Sequence, residues 1–183
     1  MLKEKQLIRF LFIAVGLYIL WFVLYEFVLK PDGHIDQIIT ENISVVMSKM
    51  LQITGYDVHF TQARKLGETY MFLAGDPLPF VRVGASCNGL ELLVLFTIFI
   101  VSYPGIIKYK FLFIIAGLIG IHILNIFRNY WLALFVLHKE MDLFDLFHRY
   151  IFIFMVYGFI FLLWMLWVNK FSQLNQPKKS ENE

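Results

Sequence analysis

The sequence predicts an all-α membrane protein with about four transmembrane helices and a small extracytoplasmic helix/β-hairpin insertion between the first and the second. Three observations carry that prediction. Hydrophobic residues make up 59% of the 183-residue chain and aromatic residues 18%, too apolar for a soluble domain of ordinary composition. Four apolar runs approach the roughly 20 residues that a bilayer crossing needs. The basic residues near those runs fall at places that a four-pass threading puts on one side.

The first run, Leu7 to Leu29, follows Lys3, Lys5 and Arg9. It continues unbroken through Leu17–Leu24 with no small-residue cleavage region, so it reads as a retained anchor rather than a signal peptide. The segment 30–86 is the long outer loop. Within it Ile35, Ile38, Ile39, Ile43, Val46, Met47, Met50 and Leu51 recur at helical spacing. Residues 35–53 therefore read as an amphipathic helix, packed by its apolar face or lying on the membrane surface. After Gly55, Tyr56–Phe60, Thr69–Leu73 and Phe80–Val83 are short, partly alternating and bounded by Gly or Pro, and read as small strands. The second span, Gly89 to Tyr103, is short, and Pro104-Gly105 ends it in a turn. The third runs from Phe111 to Leu134 and the fourth from Ile151 to Val168. These elements form one integral membrane domain, 1–172. The polar stretch 173–183, with Pro177, Lys178 and Lys179, reads as a disordered cytoplasmic tail.

Lys3, Lys5 and Arg9, then Lys108 and Lys110, then Lys170, Lys178 and Lys179 share one side, which the positive-inside rule makes the cytoplasm. Lys30, Arg64, Lys65 and Arg82 in the long loop pull the other way, but the rule weakens over loops of that length. Both termini are then cytoplasmic. The threading brings Cys87 at the outer end of span two, Arg128 near the outer end of span three and His148 in the last outer loop to one membrane level. The formal net charge is only +2 and the basic residues are scattered, so nothing points to nucleic acid. There is no metal-ligand spacing: His122 and His138 lack ligand partners in register, and no cofactor is implied.

Cys87 is the only cysteine, so an internal disulfide is excluded. A lone cysteine often serves as a small buried hydrophobe. At a helix start, however, unpaired N–H groups favour the thiolate. Asn88 and Glu91 look like a capping box at that start, and Glu91 would oppose the thiolate if it sat near the sulfur. In span three His122, Asn125, Arg128 and Asn129 form a polar stripe at 100° per residue. Such groups face protein or a wet cavity rather than lipid. Arg128 reads either as an interfacial arginine snorkelling to lipid phosphate or as part of an inward site, with Asn125 one turn below to hold the guanidinium or bond a neighbouring helix. His148 reads either as an interfacial residue or as a base oriented by Asp145 three residues earlier.

Ala85-Ser86-Cys87-Asn88-Gly89-Leu90 before one span, Asn125-Ile126-Phe127-Arg128 at the end of a later one and His148 before the last resemble the exosortase/archaeosortase family, in particular its short exosortase-F-like members. The family commonly has Ser after the Cys; here the residue is Asn88. The resemblance implies a cysteine transpeptidase or peptidase in the bacterial cytoplasmic (inner) membrane, with its active site on the extracytoplasmic face. It implies membrane-tethered protein substrates whose C-terminal signals carry a short motif, a transmembrane helix and a basic tail. Cys87 would be the nucleophile, Arg128 the oxyanion donor and His148 the general acid/base. The acceptor nucleophile is left open by the sequence. Two other classes stay open: a non-catalytic membrane scaffold whose polar residues glue helices, and a small transporter subunit with Arg128 and His122 along a path.

Overall fold

The computed structural model describes residues 2–62 and 67–171. Arg64, Lys65 and the tail 173–183 lie outside the described residues. Helix α1 (Leu2–Leu24) runs through a π-helical turn at Tyr25–Leu29 into the short α2 (Lys30–Asp32). Gly33 breaks this rod: its φ of 69° lies in the left-handed region that glycine adopts without steric penalty. Helix α3 (His34–Ile53) follows, then strands β1 (Val58–Gln62), β2 (Thr69–Leu73) and β3 (Val81–Val83). A 3₁₀ turn at Ala85–Cys87 leads into α4 (Leu90–Ser102), and α5 spans Ile107–Leu137. Helix α6 (Met141–Leu146) continues through a π turn at Phe147–Ile151 into α7 (Phe152–Leu166), which ends in a further π turn.

Three helical rods among the described residues, Glu4–Asp32, Ile107–Leu137 and Met141–Phe171, are long and apolar enough to cross a membrane. Helix α4 is not: at about 1.5 Å per residue its 13 residues reach about 20 Å, short of a hydrocarbon core of about 30 Å. The rods expose large apolar side chains such as Phe12, Phe27, Phe111 and Phe154, a surface suited to lipid rather than water. Tyr103 is extended ahead of Pro104, which ends α4. Lys110 Nζ donates to the Val101 carbonyl at 2.6 Å, satisfying one of the free carbonyls of that helix end.

The segment between α1 and α4 is a helix packed on a three-stranded antiparallel meander rather than on a single hairpin. Val58 pairs with Leu73, and Thr69 and Met71 pair with Val83 and Val81. The first strand starts two residues later than the sequence suggests. Val58, Met71 and Val83 point inward and meet Ile43, Met47 and Leu51 of α3 and Ile126, Tyr130 and Ala133 of α5 in one cluster. The buried face of α3 departs from the apolar stripe. Asp36, Gln37, Thr40 and Ser44 are buried on it, while Ile35 and Ile38 are exposed. The reason is hydrogen bonding: the Gly67 N–H donates to Gln37 Oε1 at 2.7 Å, and Thr40 Oγ1 donates to the Gly67 carbonyl at 3.3 Å. Ser44 pairs with Thr69. Buried polar groups with partners are tolerated, so periodicity of apolar residues alone misplaces this face.

A second cluster joins α4, α5 and α7 through Phe96, Ile100, Ile121, Val156, Ile160 and Trp167. Gly117 permits the close crossing of α4 and α5: a Cβ there would lie 2.2 Å from Phe96 Cζ.

Candidate active site

Cys87 closes the 3₁₀ turn, and its N–H donates to the Gly84 carbonyl at 2.8 Å. It is half-buried against the cluster beneath the sheet. It does not sit in the first turn of α4. The N-cap of that helix is Gly89, with φ of 78° and no side-chain cap bond, so the expected Asn88–Glu91 capping box does not form. Asn88, 1% exposed, is engaged differently. Its Nδ2 donates to Asp36 Oδ1 at 2.6 Å, and its Oδ1 accepts from the Leu90 N–H at 2.9 Å. Glu91 is exposed on the first turn of α4.

The polar stripe of α5 faces protein. His122 Nε2 lies 2.8 Å from Asn42 Oδ1 on α3. Asn125 and Asn129 each donate through Nδ2 to the Cys87 carbonyl, at 3.0 and 3.3 Å. Asn125 thus holds the cysteine turn rather than the guanidinium. Its Oδ1 and Arg128 Nε are both buried without a hydrogen-bond partner among the described residues. Gly89 makes the approach possible, since a Cβ there would lie 3.0 Å from Asn125 Nδ2.

Arg128 borders a cleft of about 440 Å³ between α1, α4 and α7. Tyr18, Leu95, Ile153 and Tyr157 supply apolar wall, and Ser86, Asn88 and Glu91 also line it. Cys87 lies next to these turn residues but not in the wall itself. His148 occupies the π turn ahead of α7, close enough to feel the charges of Arg128, Asp145 and Arg149. Its ring stacks on Phe144, centroids 5.5 Å apart and nearly parallel. No hydrogen bond joins Asp145 to His148 among the described residues. The cysteine turn and Arg128 share one cleft, and His148 is not among the residues that line it. No hydrogen bond links the three side chains to one another among the described residues; such links commonly tighten only when substrate is bound.

The family model described as transmembrane exosortase matches residues 1–168. The chain belongs to the transmembrane exosortase family. No curated protein and no solved structure matches it significantly. Membership in the exosortase family implies a transpeptidase role for this membrane protein.

Sequence reasoning missed Asp36 and Tyr25. Asp36 is 3% exposed, and Tyr25 Oη donates to its Oδ2 at 3.1 Å. One signal was available: Asp36 stands in helical phase with Thr40, Ile43 and Met47, the ridge that proves buried.

Proposed function

We propose that this exosortase-family protein is a membrane-embedded cysteine transpeptidase that cleaves C-terminal sorting signals of exported proteins and transfers them to a nucleophilic acceptor. Cys87 is the nucleophile, Arg128 the oxyanion donor and His148 the general acid/base. The observation that carries this reading is the shared cleft: Arg128 and the residues flanking Cys87 line it together, and His148 lies within electrostatic reach of Arg128.

The chemistry balances with these groups and an acceptor nucleophile or water. His148 takes the thiol proton, and the Cys87 sulfur attacks the carbonyl carbon, forming a C–S bond. The Arg128 fork, permanently charged, binds the resulting oxyanion. Collapse breaks the C–N bond, and the leaving amine takes its proton from His148. His148 then takes the proton of an acceptor nucleophile, or water, as it attacks the thioester carbon; the C–S bond breaks, and the sulfur recovers that proton from His148. Substrates of this chemistry carry a short motif, a transmembrane helix and a basic tail, and the apolar wall from three helices suits such a membrane-tethered chain. In this reading both termini are cytoplasmic in a bacterial inner membrane, α4 with its flanking turns completes a fourth pass, and the cleft opens outside.

Because Cys87 is the only cysteine, one experiment tests the site and its sidedness. Intact cells are treated with a membrane-impermeant thiol reagent, and processing of a co-expressed protein with such a C-terminal signal is followed. Wild-type protein should label from outside. Cys87→Ala and Cys87→Ser should abolish processing while remaining in the membrane, serine because its hydroxyl is a far weaker acid than a thiol. Full processing by the alanine variant, or labelling only after the membrane is breached, overturns the proposal.

A further inference from the structure

Asp36 is a carboxylate in the protein interior, and its two oxygens go to separate donors: Oδ1 to Asn88 Nδ2 at 2.6 Å and Oδ2 to Tyr25 Oη at 3.1 Å. A carboxylate can only accept hydrogen bonds, whereas a side-chain amide both donates and accepts. Asp36 therefore dictates which way the Asn88 amide turns. The NH₂ must face Asp36, and the carbonyl oxygen must face the Leu90 N–H, where it is found at 2.9 Å. This pins the chain on the C-terminal side of Cys87. From the opposite direction, Asn125 and Asn129 of α5 hold the Cys87 carbonyl, and the Gly84 carbonyl holds its N–H. The backbone of the cysteine is thus fixed between α5 on one side and the α1–α3 corner on the other.

We propose that Asp36 is a positioning residue for the Cys87 nucleophile, acting through Asn88. The inference rests on the transpeptidase reading and deepens it. Burying an acceptor-only group here is expensive if the aim is stability alone, because a carboxylate loses strong hydration. It is useful if the orientation of the Asn88 amide must be unambiguous. Preorganised geometry at a nucleophile is worth this expense, since a displacement of about 1 Å can lower a rate about a hundredfold.

The test uses the full-length protein in membranes, with iodoacetamide as a probe that needs no substrate. Asp36→Ala removes the acceptor of the Asn88 NH₂ and leaves the Asn88 side chain held only through its bond from the Leu90 N–H. The alkylation rate of Cys87 at alkaline pH should change several-fold, and processing should fall by about a hundredfold. Ile160→Ala, a core truncation in the α4–α5–α7 cluster that does not include Cys87, serves as the control. It should lower the amount of folded protein but leave the alkylation rate of the folded fraction unchanged. The exchanged pair Asp36→Asn with Asn88→Asp can restore all three bonds, with donor and acceptor reversed only between positions 36 and 88. The new amide donates to the new carboxylate, which still accepts from the Leu90 N–H, and Tyr25 donates to the new amide oxygen. That pair should bring the alkylation rate back towards wild type and recover most processing.

Wild-type alkylation and processing in Asp36→Ala would overturn the positioning role. So would an exchanged pair that accumulates normally but recovers neither. If Asp36→Ala fails to accumulate, the exchanged pair alone carries the test by the same two readouts. Processing that survives Cys87→Ala would instead remove the transpeptidase reading itself, whatever Asp36 does.

Discussion

Beneath the sheet, Ile43, Met47 and Val83 pack near two separate sets of hydrogen bonds, one between Asn42 and His122 and one from Asn125 and Asn129 to the Cys87 carbonyl. Between α4, α5 and α7 the packing is different in kind. Phe96, Ile121, Ile160 and Trp167 are buried together, Phe113 and Trp167 meet at 5.2 Å, and Phe99 stacks on Trp164 at 4.4 Å. The Nε1 atoms of Trp164 and Trp167 are buried there without a hydrogen-bond partner among the described residues. One region is specified by donors and acceptors, the other by shape. Hydrogen bonds are directional and fix atoms to a few tenths of an ångström, whereas ring packing fixes helices but leaves individual atoms freer. The region that must hold a nucleophile is the directional one.

Three substitutions sharpen or break that contrast. The largest effect belongs to Arg128→Lys. Charge is kept and the planar fork is lost, so processing should fall by about 10²–10³, the loss typical of a missing oxyanion donor, with thermal stability little changed. A lysine variant as active as wild type would make Arg128 an interfacial anchor and leave the polar region without its chemical purpose.

Gly117→Ala addresses the region set by shape. Its new Cβ would come within 2.2 Å of the ring of Phe96, which is fully buried. Overpacking of this kind costs about 1–3 kcal/mol. Unfolding in mixed detergent micelles should show the loss, with the alkylation rate of Cys87 unaltered in the protein that remains folded. A changed alkylation rate would mean the two regions are coupled.

The smallest effect is expected from Asn42→Ala. It removes the partner of His122, a single hydrogen bond between α3 and α5 worth about 0.5–1.5 kcal/mol. Stability should drop by that amount, and processing should stay within about twofold, a change of less than about 0.5 kcal/mol in activation energy. A large loss of processing would place His122 in the chemistry and favour a polar path through α5 over helix packing.

Much of this architecture was legible in the chain. The long apolar rods follow from run length, because lipid accepts only helices that satisfy their own backbone. The strands at Thr69–Leu73 and Val81–Val83 follow from short alternating runs between glycines and prolines. The stripe of His122, Asn125, Arg128 and Asn129 follows from helical periodicity and from the penalty for facing lipid with polar groups. What each stripe residue touches was not legible. Asn125 turned out to hold the Cys87 carbonyl rather than Arg128, and the His148 ring stacks on Phe144.

By itself, then, the sequence determined the elements that depend on local physics: where the long apolar segments lie, where Pro104 ends a helix, and which residues of α5 share a face. Only the tertiary structure decided the pairings between elements distant in sequence. Asp36 and Asn88 lie 52 positions apart and Asn125 and Cys87 lie 38 apart, and no periodicity links such residues. A buried polar side chain is tolerated only where a partner arrives from elsewhere in the fold. The burial of Asp36, Thr40 and Ser44 was therefore settled by the sheet, the Gly67 turn and the cysteine loop that pack against them, and not by the helix that carries them.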